Sequence, residues 1–145
     1  MDAEAGSRAT GSDGSVSVRG QSVGRLGEQL ASEHLERRGF EILQRNYRTR
    51  WGEIDIVAFD GRTLAFCEVK SRRLRRERAV GGLADALPFE SLHARKRAQV
   101  RRMASRWISE KFQRPYAPVI RFDAIGVIFD WRGELVQLEH LEGAF

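Results

Sequence analysis

The sequence lacks several features that would place it in a special class of protein. Among its 145 residues there is one cysteine, Cys67, which excludes an internal disulfide and is typical of a reducing cytoplasm. No apolar run approaches the roughly 20 residues of a membrane-spanning helix. Residues 1–20 also lack the apolar stretch of a secretory signal. We therefore expect a cytoplasmic protein with no membrane partner.

The overall composition is that of an ordinary globular domain. Hydrophobic residues make up 41% of the chain and charged residues 31%, which excludes collagen-like, disulfide-framework and fully disordered chains. Residues 1–20 are rich in glycine, serine and alanine, so we expect a flexible tail that buries too little surface to become ordered. Residues 21–145 are then predicted to form a single domain.

Positive charge is concentrated in one segment. The formal net charge is +5, and 22 of the 25 basic residues are arginine. Residues 71–111 have a net charge of +8, whereas the rest of the chain has −3. Such a segment is typical of a nucleic-acid-binding surface, because guanidinium groups match phosphate oxygens. A GC-rich genome would also enrich arginine, and a solvated helix face would also be basic.

Hydrophobic periodicity predicts two helices and five strands. The predicted helices are 22–38 and 88 to about 112, and the predicted strands are 40–43, 53–59, 63–70, 119–129 and 134–138, with a loop over 71–87. The order α-β-β-β-α-β-β is typical of an α/β fold in which helices flank a mixed sheet.

Two strands of the predicted hairpin bring charged residues together. Alternation along a strand places Glu68 and Lys70 on one face, and Asp55 lies on the strand before them. A two-residue turn at 61–62 would put Asp55 opposite Glu68, and a turn at 60–61 would make them diagonal neighbours. A three-residue loop would separate them. The predicted cluster therefore depends on the length of the turn.

Carboxylates held close together need a compensating cation or hydrogen bonds. Asp55, Glu68 and the backbone carbonyl of Val69 form a suitable oxygen set for Mg²⁺ or Mn²⁺. A divalent ion there would support phosphodiester hydrolysis, with Lys70 orienting the attacking water or stabilising the transition state. Glu28, on the first helix, could hold a water of the metal. The alternative is an amphipathic hairpin whose carboxylates face solvent, with Lys70 as an ion-pair partner.

Several short motifs follow one another along the chain in a characteristic order and spacing. They are Gly27-Glu28, Asn46-Tyr47-Arg48, Gly52-Glu53-Ile54-Asp55, Glu68-Val69-Lys70-Ser71-Arg72, Lys96-Arg97 and Arg121-Phe122-Asp123. Over about residues 21–129 they resemble the YraN family of bacterial proteins. That family is similar to restriction-endonuclease-like nucleases with a PD-(D/E)xK motif, and to archaeal-type Holliday junction resolvases.

The resemblance implies a role for each motif residue. Asp55 would be the motif aspartate, Glu68 and Lys70 the (D/E)xK pair, and Glu28 the helix glutamate, so these four are the predicted catalytic residues. Ile54 stands where the motif name has proline. The resemblance also implies DNA as the substrate, with branched or single-stranded DNA included, and a homodimer by analogy.

Other residues are candidates for nucleic-acid binding. The predicted phosphate-binding residues are Arg48, Arg50, Arg72, Lys96 and Arg97. Tyr47 and Trp51 could stack on an unpaired base, although packing in the core is the more common role of such residues. The three histidines have no partners at zinc-binding spacing, and Cys67 is expected to be a small buried hydrophobic residue.

Two functions fit this sequence. The first is a metal-dependent nuclease acting on DNA, which the set Glu28, Asp55, Glu68 and Lys70 favours. The second is a nucleic-acid-binding or scaffolding module on the same fold without catalytic activity, which the basic charge favours. Cleavage assays with Mg²⁺ or Mn²⁺ distinguish them.

Overall fold

A computed structural model describes residues 22–76, 94–111 and 113–145, except for the side chains of residues 94 and 95. Its elements are α1 (Val23–Arg37), β1 (Glu41–Thr49), β2 (Gly52–Phe59), β3 (Thr63–Arg73), α2 (Ala94–Glu110), β4 (Val119–Phe129) and β5 (Leu135–Leu141). This confirms the predicted α/β class and the predicted order of elements. The predicted tail over residues 1–20 lies outside the described residues.

The five strands form one mixed sheet in the order β1-β2-β3-β4-β5. β3 and β4 pair in parallel, and the other neighbours pair antiparallel. A parallel pair needs a long crossover connection, and α2 lies within the connection between β3 and β4. Neither helix in the described ranges is long and apolar enough to span a bilayer.

Each helix covers one face of the sheet. Leu26 and Leu35 of α1 belong to a buried cluster with Ile56, Cys67 and Val127 of the sheet. Burying a large aliphatic side chain contributes about 1.5–3 kcal/mol, so this face is a substantial source of stability. Burial also raises the pKa of the Cys67 thiol, in agreement with its predicted role as a buried hydrophobic residue.

The opposite face is covered by α2. Val100, Met103 and Trp107 of α2 pack with Phe66 and Phe122 of the sheet, and these rings contact one another. The α2 arginines at 97, 101, 102 and 106 are exposed on the other side of the helix.

Both ends of α1 follow from the sequence. The Ser22 hydroxyl accepts a hydrogen bond from the Arg25 backbone N–H at 3.3 Å, which caps the first turn. At the other end Gly39 has φ +90°, and the Phe40 N–H donates to the Leu35 carbonyl at 2.9 Å. This is a Schellman motif, in which glycine adopts the left-handed conformation at low cost.

The prediction for β1 is wrong in length. A short strand was expected over 40–43, but β1 continues to Thr49. It lies at the edge of the sheet and faces solvent along much of its length, so its second half is polar and lacks an apolar pattern. The strand is also irregular, because its register shifts near Ile42 and Asn46 has φ +52°.

The ends of two further strands also differ from prediction. A loop was expected from residue 71, but β3 continues to Arg73 because its last residues pair with β4 up to Phe129. β5 was expected over 134–138 and instead spans Leu135–Leu141. The remaining expected loop over 77–87, the expected start of the second helix at residue 88 and its end at residue 112 lie outside the described residues.

The turn between β2 and β3 resolves the question of register. Phe59 pairs with Leu64, and Ile56 pairs with Cys67, which corresponds to the two-residue turn at 61–62. Gly61 has φ +97°, and the Asp60 carboxylate accepts hydrogen bonds from two backbone N–H groups of the turn. These hydrogen bonds lower the pKa of Asp60.

A buried carboxylate fastens β5 and the C-terminal segment to β4. Asp123 has no exposed surface, and it accepts two hydrogen bonds from the Arg121 guanidinium, at 2.8 and 2.9 Å. It also accepts from the Gly143 N–H, and His140 Nε2 lies 2.8 Å from it. His140 Nδ1 in turn lies 3.1 Å from Nε2 of His34 on α1. The cluster therefore joins α1, β4 and β5.

We expect Gly27→Ala to destabilise the fold by about 1–3 kcal/mol, the usual cost of overpacking a core. An added Cβ would overlap Ser71 Oγ and lie 2.9 Å from Ser71 Cβ. The control is Gly24→Ala in the same helix, where an added Cβ meets nothing within 4 Å. That change should be neutral or stabilise by up to about 1 kcal/mol. Urea unfolding measures both, and equal effects would contradict the close approach of α1 to β3.

We expect Asp123→Asn to lower the free energy of unfolding by about 3 kcal/mol, because it leaves Arg121 without its buried partner. Burial opposes ionisation, but His140, Arg121 and the Gly143 N–H together hold the pKa of Asp123 below its usual value. The ionised Asp123 therefore contributes its full stabilisation at a pH above the usual carboxyl pKa. This stabilisation is lost as the pH falls towards the lowered pKa of Asp123. Urea unfolding from pH 7 downwards tests this.

The control for Asp123→Asn is Glu142→Gln, because Glu142 is half-exposed and forms ion pairs with Arg38 and Arg121 at 3.4 and 3.5 Å. Exposed pairs contribute at most about 1 kcal/mol. An Asp123→Asn protein as stable as this control would contradict the proposed role of the cluster.

Candidate metal centre

The candidate site begins where β2 and β3 part. Their pairing ends at Ile56 and Cys67, and continuing that register one step places Asp55 opposite Glu68, which is one of the arrangements that the sequence left open. The Val69 N–H donates a hydrogen bond to Oδ2 of Asp55, with 2.7 Å between the nitrogen and the oxygen. The acceptor is therefore a side-chain carboxylate and not a backbone carbonyl. The side chain of Asp55 is thereby held against β3.

Three carboxylates converge next to this point. Glu28 from α1 and Glu53 and Asp55 from β2 each offer one oxygen, and these oxygens lie within 4.8 Å of one another. With its nitrogen turned towards the glutamates, the Asn46 amide donates to Glu28 at 3.2 Å and to Glu53 at 2.7 Å. The Arg48 guanidinium also donates to Glu53, at 3.2 Å. We call Glu28, Glu53 and Asp55 the acid cluster.

Charge in the acid cluster is only partly compensated. Burial raises the pKa of Asp55 to about 7, and the nearby charges of Glu28, Glu68 and Glu53 add to this effect against the Val69 hydrogen bond. Burial and the Glu53 charge likewise raise the pKa of Glu28. Three close oxygens with a shortage of positive charge fit a hard divalent cation, which prefers oxygen ligands.

Glu68 has different partners. Its side chain is buried, and its Oε1 pairs with Lys70 Nζ at 3.2 Å and with Lys96 Nζ of α2. Burial opposes the charge on Lys70, but Glu68 and then Asp55 outweigh it, so the pKa of Lys70 is raised. Among the described residues nothing donates to Glu68 Oε2. The charge of Glu68 is thus neutralised by two lysines, whereas the acid cluster has no lysine partner among the described residues.

The predicted site residues are therefore distributed in two groups. Asp55 and Glu28 meet in the acid cluster, whereas Glu68 and Lys70 meet in an ion pair. The backbone N–H of Val69 donates to Asp55. That the Val69 carbonyl binds the metal stays a prediction. Lys96, predicted to bind phosphate, forms an ion pair with Glu68.

The other predicted phosphate-binding residues differ in their surroundings. Arg48 pairs with Glu53, and the Arg50 guanidinium lies 4.5 Å from the centre of the Trp51 ring. Arg72 and Arg97 are exposed. Of the two aromatic candidates, Tyr47 is buried and donates its hydroxyl to Glu110 at 2.8 Å, which is a packing role, whereas Trp51 is half-buried.

Sequence reasoning gave no site role to Glu53 and Asn46, and it did not predict that Lys96 pairs with Glu68. Glu53 lies two positions before Asp55 on the same strand, so the period of two could have placed it on the same side. Asn46 and Lys96 gave no such signal. Asn46 reaches the cluster through a left-handed backbone conformation in a neighbouring strand, and Lys96 comes from the far side of the chain segment over 77–93.

Comparisons with known proteins agree on one family. The sequence profile described as "Uncharacterised protein family UPF0102" matches residues 27–127. A UPF0102 protein of Parafrankia sp. is 44% identical over 86% of this chain and 97% of its own length. A UPF0102 protein of Frankia alni is 45% identical over 85% and 93%, and one of Pelotomaculum thermopropionicum is 39% identical over 85% and 94%.

We expect the metal-free Asp55→Asn variant to be more stable than the wild type at pH 8. The raised pKa of Asp55 means that its ionisation, complete by pH 8, costs stability as the pH rises from about 4 to about 7. The amide removes this cost, so the advantage should shrink below pH 7. Thermal unfolding in EDTA measures it, and adding Mg²⁺ should raise the Tm of the wild type more than that of the variant.

Glu41→Gln is the matched control, because Glu41 is an exposed carboxylate at the far end of the sheet, where β1 begins. It should change neither the Tm in EDTA nor the response to Mg²⁺. An Asp55→Asn variant that is less stable than the wild type at pH 8 would contradict a shortage of positive charge in the cluster.

Proposed function

The chain belongs to the protein family UPF0102, and for this member we propose a metal-dependent nuclease that hydrolyses phosphodiester bonds of DNA, branched or single-stranded DNA included. The observation that carries the proposal is Asp55. Its half-buried carboxylate joins Glu28 and Glu53 in the acid cluster, and Glu68 and two lysines lie on the neighbouring strand and helix. This set supports a restriction-endonuclease-like fold with Asp55, Glu68 and Lys70 as its PD-(D/E)xK residues.

The metal would be Mg²⁺ or Mn²⁺. Asp55 would hold it together with Glu28 and Glu53 of the acid cluster, or with Glu68 and the Val69 carbonyl. Both sets consist of oxygen atoms, which suit a hard cation. When bound, such an ion neutralises charge on the attacked phosphate and promotes ionisation of the attacking water.

Lys70 and Glu28 would stabilise the transition state and activate the attacking water. Lys70 keeps its charge because its pKa is raised, so it can donate hydrogen bonds to the phosphate oxygens that gain charge in the transition state. Where Glu68 and the Val69 carbonyl hold the metal with Asp55, Glu28 is left to orient the attacking water and, with its raised pKa, to accept the proton of that water. Arg50, Arg72 and Arg97 are exposed and would bind flanking phosphates.

One observation favours the second function, a binding or scaffolding module without catalytic activity. The buried Glu68 is already paired with Lys70 and Lys96, so it does not need a metal to compensate its charge. Such a module would bind nucleic acid with a strong salt dependence and would be indifferent to EDTA. The homodimer and the cytoplasmic location expected from the sequence stay predictions.

We expect purified protein to cleave DNA only with Mg²⁺ or Mn²⁺. The test is a panel of labelled duplex, single-stranded, flap and four-way DNA, with EDTA as the metal-free arm. Asp55→Ala, Glu68→Ala and Lys70→Ala should each lower the cleavage rate at least about 100-fold, the size expected when a group that stabilises the transition state is lost. Glu41→Ala should cleave at the wild-type rate.

Two results would reject the nuclease. One is the absence of cleavage on every substrate by a protein that binds DNA. The other is cleavage that survives Glu68→Ala, which would point to a contaminating enzyme.

A further inference from the structure

A half-buried tryptophan lies close in the chain to the acid cluster. Trp51 is in the turn between β1 and β2, two positions before Glu53. The Thr49 hydroxyl accepts from the Trp51 N–H and donates to the Gly52 carbonyl, both at 3.1 Å, so the turn is well defined. Trp51 packs against the buried cluster that contains Met103 and Trp107 of α2, and it stays partly exposed.

Three arginines surround this ring. The guanidinium carbon of Arg50 lies 4.5 Å from its centre, and those of Arg102 and Arg106 on α2 lie at 5.7 and 5.9 Å. A cation over an indole face is stabilised by the ring electrons. We call Trp51, Arg50, Arg102 and Arg106 the Trp51 platform.

The charge of the platform is poorly balanced within the chain. Arg106 pairs with Glu110 at 2.7 Å, but within the described ranges no carboxylate lies at ion-pair distance from Arg50 or Arg102. The rest of α2 adds to the excess, because Ala94–Glu110 contains six basic residues and one acidic residue. Like charges gathered at one ring favour an anionic ligand that can bind several of them.

The ring identifies the kind of anion. Unpaired nucleotides offer both phosphates for the guanidiniums and flat bases for the indole, whereas a duplex hides its base faces. We infer that the Trp51 platform binds unpaired nucleotides of a nucleic-acid strand and brings the adjoining phosphate to the acid cluster. A base that stacks on Trp51 displaces one flexible guanidinium, which then pairs with a neighbouring phosphate. The delivery of the phosphate rests on the proposed function, but the binding does not.

The chain contains a second arginine–tryptophan contact that serves as a control. Trp131 lies in the turn between β4 and β5, with the guanidiniums of Arg132 and Arg76 at 4.8 and 5.0 Å. This turn is separated from the β1–β2 turn by about three strand spacings, roughly 14 Å. Glu53 of the acid cluster follows Trp51 by two residues, whereas Trp131 lies in the turn between two other strands, so the two contacts have the same chemistry at different places in the fold.

The experiment measures binding in EDTA, so that no cleavage is required. Fluorescence anisotropy compares labelled oligo(dT) of about 15 nucleotides with a duplex of the same length. Trp51→Ala should weaken oligo(dT) binding about 10-fold and duplex binding much less, because one stacked base is lost. Arg102→Gln should weaken both and lower the salt dependence by about one phosphate contact. Trp131→Ala should bind both as the wild type does.

A second readout avoids dependence on the folding of Trp51→Ala. Oligo(dT) should quench tryptophan emission in the Trp131→Phe protein and not in the Trp51→Phe protein. Equal losses in the Trp51 and Trp131 variants, or wild-type oligo(dT) binding by Trp51→Ala and Arg102→Gln, would overturn the inference. Selective oligo(dT) binding by a protein that never cleaves DNA would instead reject only the nuclease.

Discussion

The hydrogen bond from the Val69 N–H to the Asp55 carboxylate connects the fold to the candidate site. It occupies the place where β2 stops pairing with β3, so a side-chain oxygen accepts the N–H that would otherwise be left unpaired. The bond orients Asp55 towards Glu28 and Glu53 in partly desolvated surroundings. The end of β2–β3 pairing is therefore also the place where three negatively charged carboxylates come together and repel one another.

The position of Glu28 depends on the residue before it. Gly27 allows α1 to approach β3 so closely that a methyl group would overlap Ser71, and the next residue, Glu28, lies in the acid cluster with Glu53 and Asp55 of β2. Ser71 belongs to the part of β3 that pairs with β4. The acid cluster therefore depends on the close packing of α1 against β3 and on the continuation of β3 as far as Ser71.

The sequence predicted local features of this site well and distant ones poorly. Strand alternation placed Asp55 and Glu68 on one face for either two-residue turn, because alternation depends only on neighbouring residues, and the observed turn at 61–62 puts them opposite each other. Lys96 reaches Glu68 from another helix, and His34 meets His140 across 106 positions, so neither contact has a signature in residue spacing. The end of β1 was missed because an edge strand needs no apolar pattern on its solvated side.

The acid cluster is difficult to reconcile with binding alone. The platform at Trp51 and the helix α2 are strongly basic, which favours a polyanion as partner, and Glu53 lies two residues from that tryptophan. Carboxylates at this position repel the same polyanion, so a surface used only for binding would be improved by their removal. A divalent cation between the carboxylates and a phosphate turns that repulsion into attraction. Opposite charges side by side are therefore better explained by a metal-assisted reaction on nucleic acid than by simple adhesion to it.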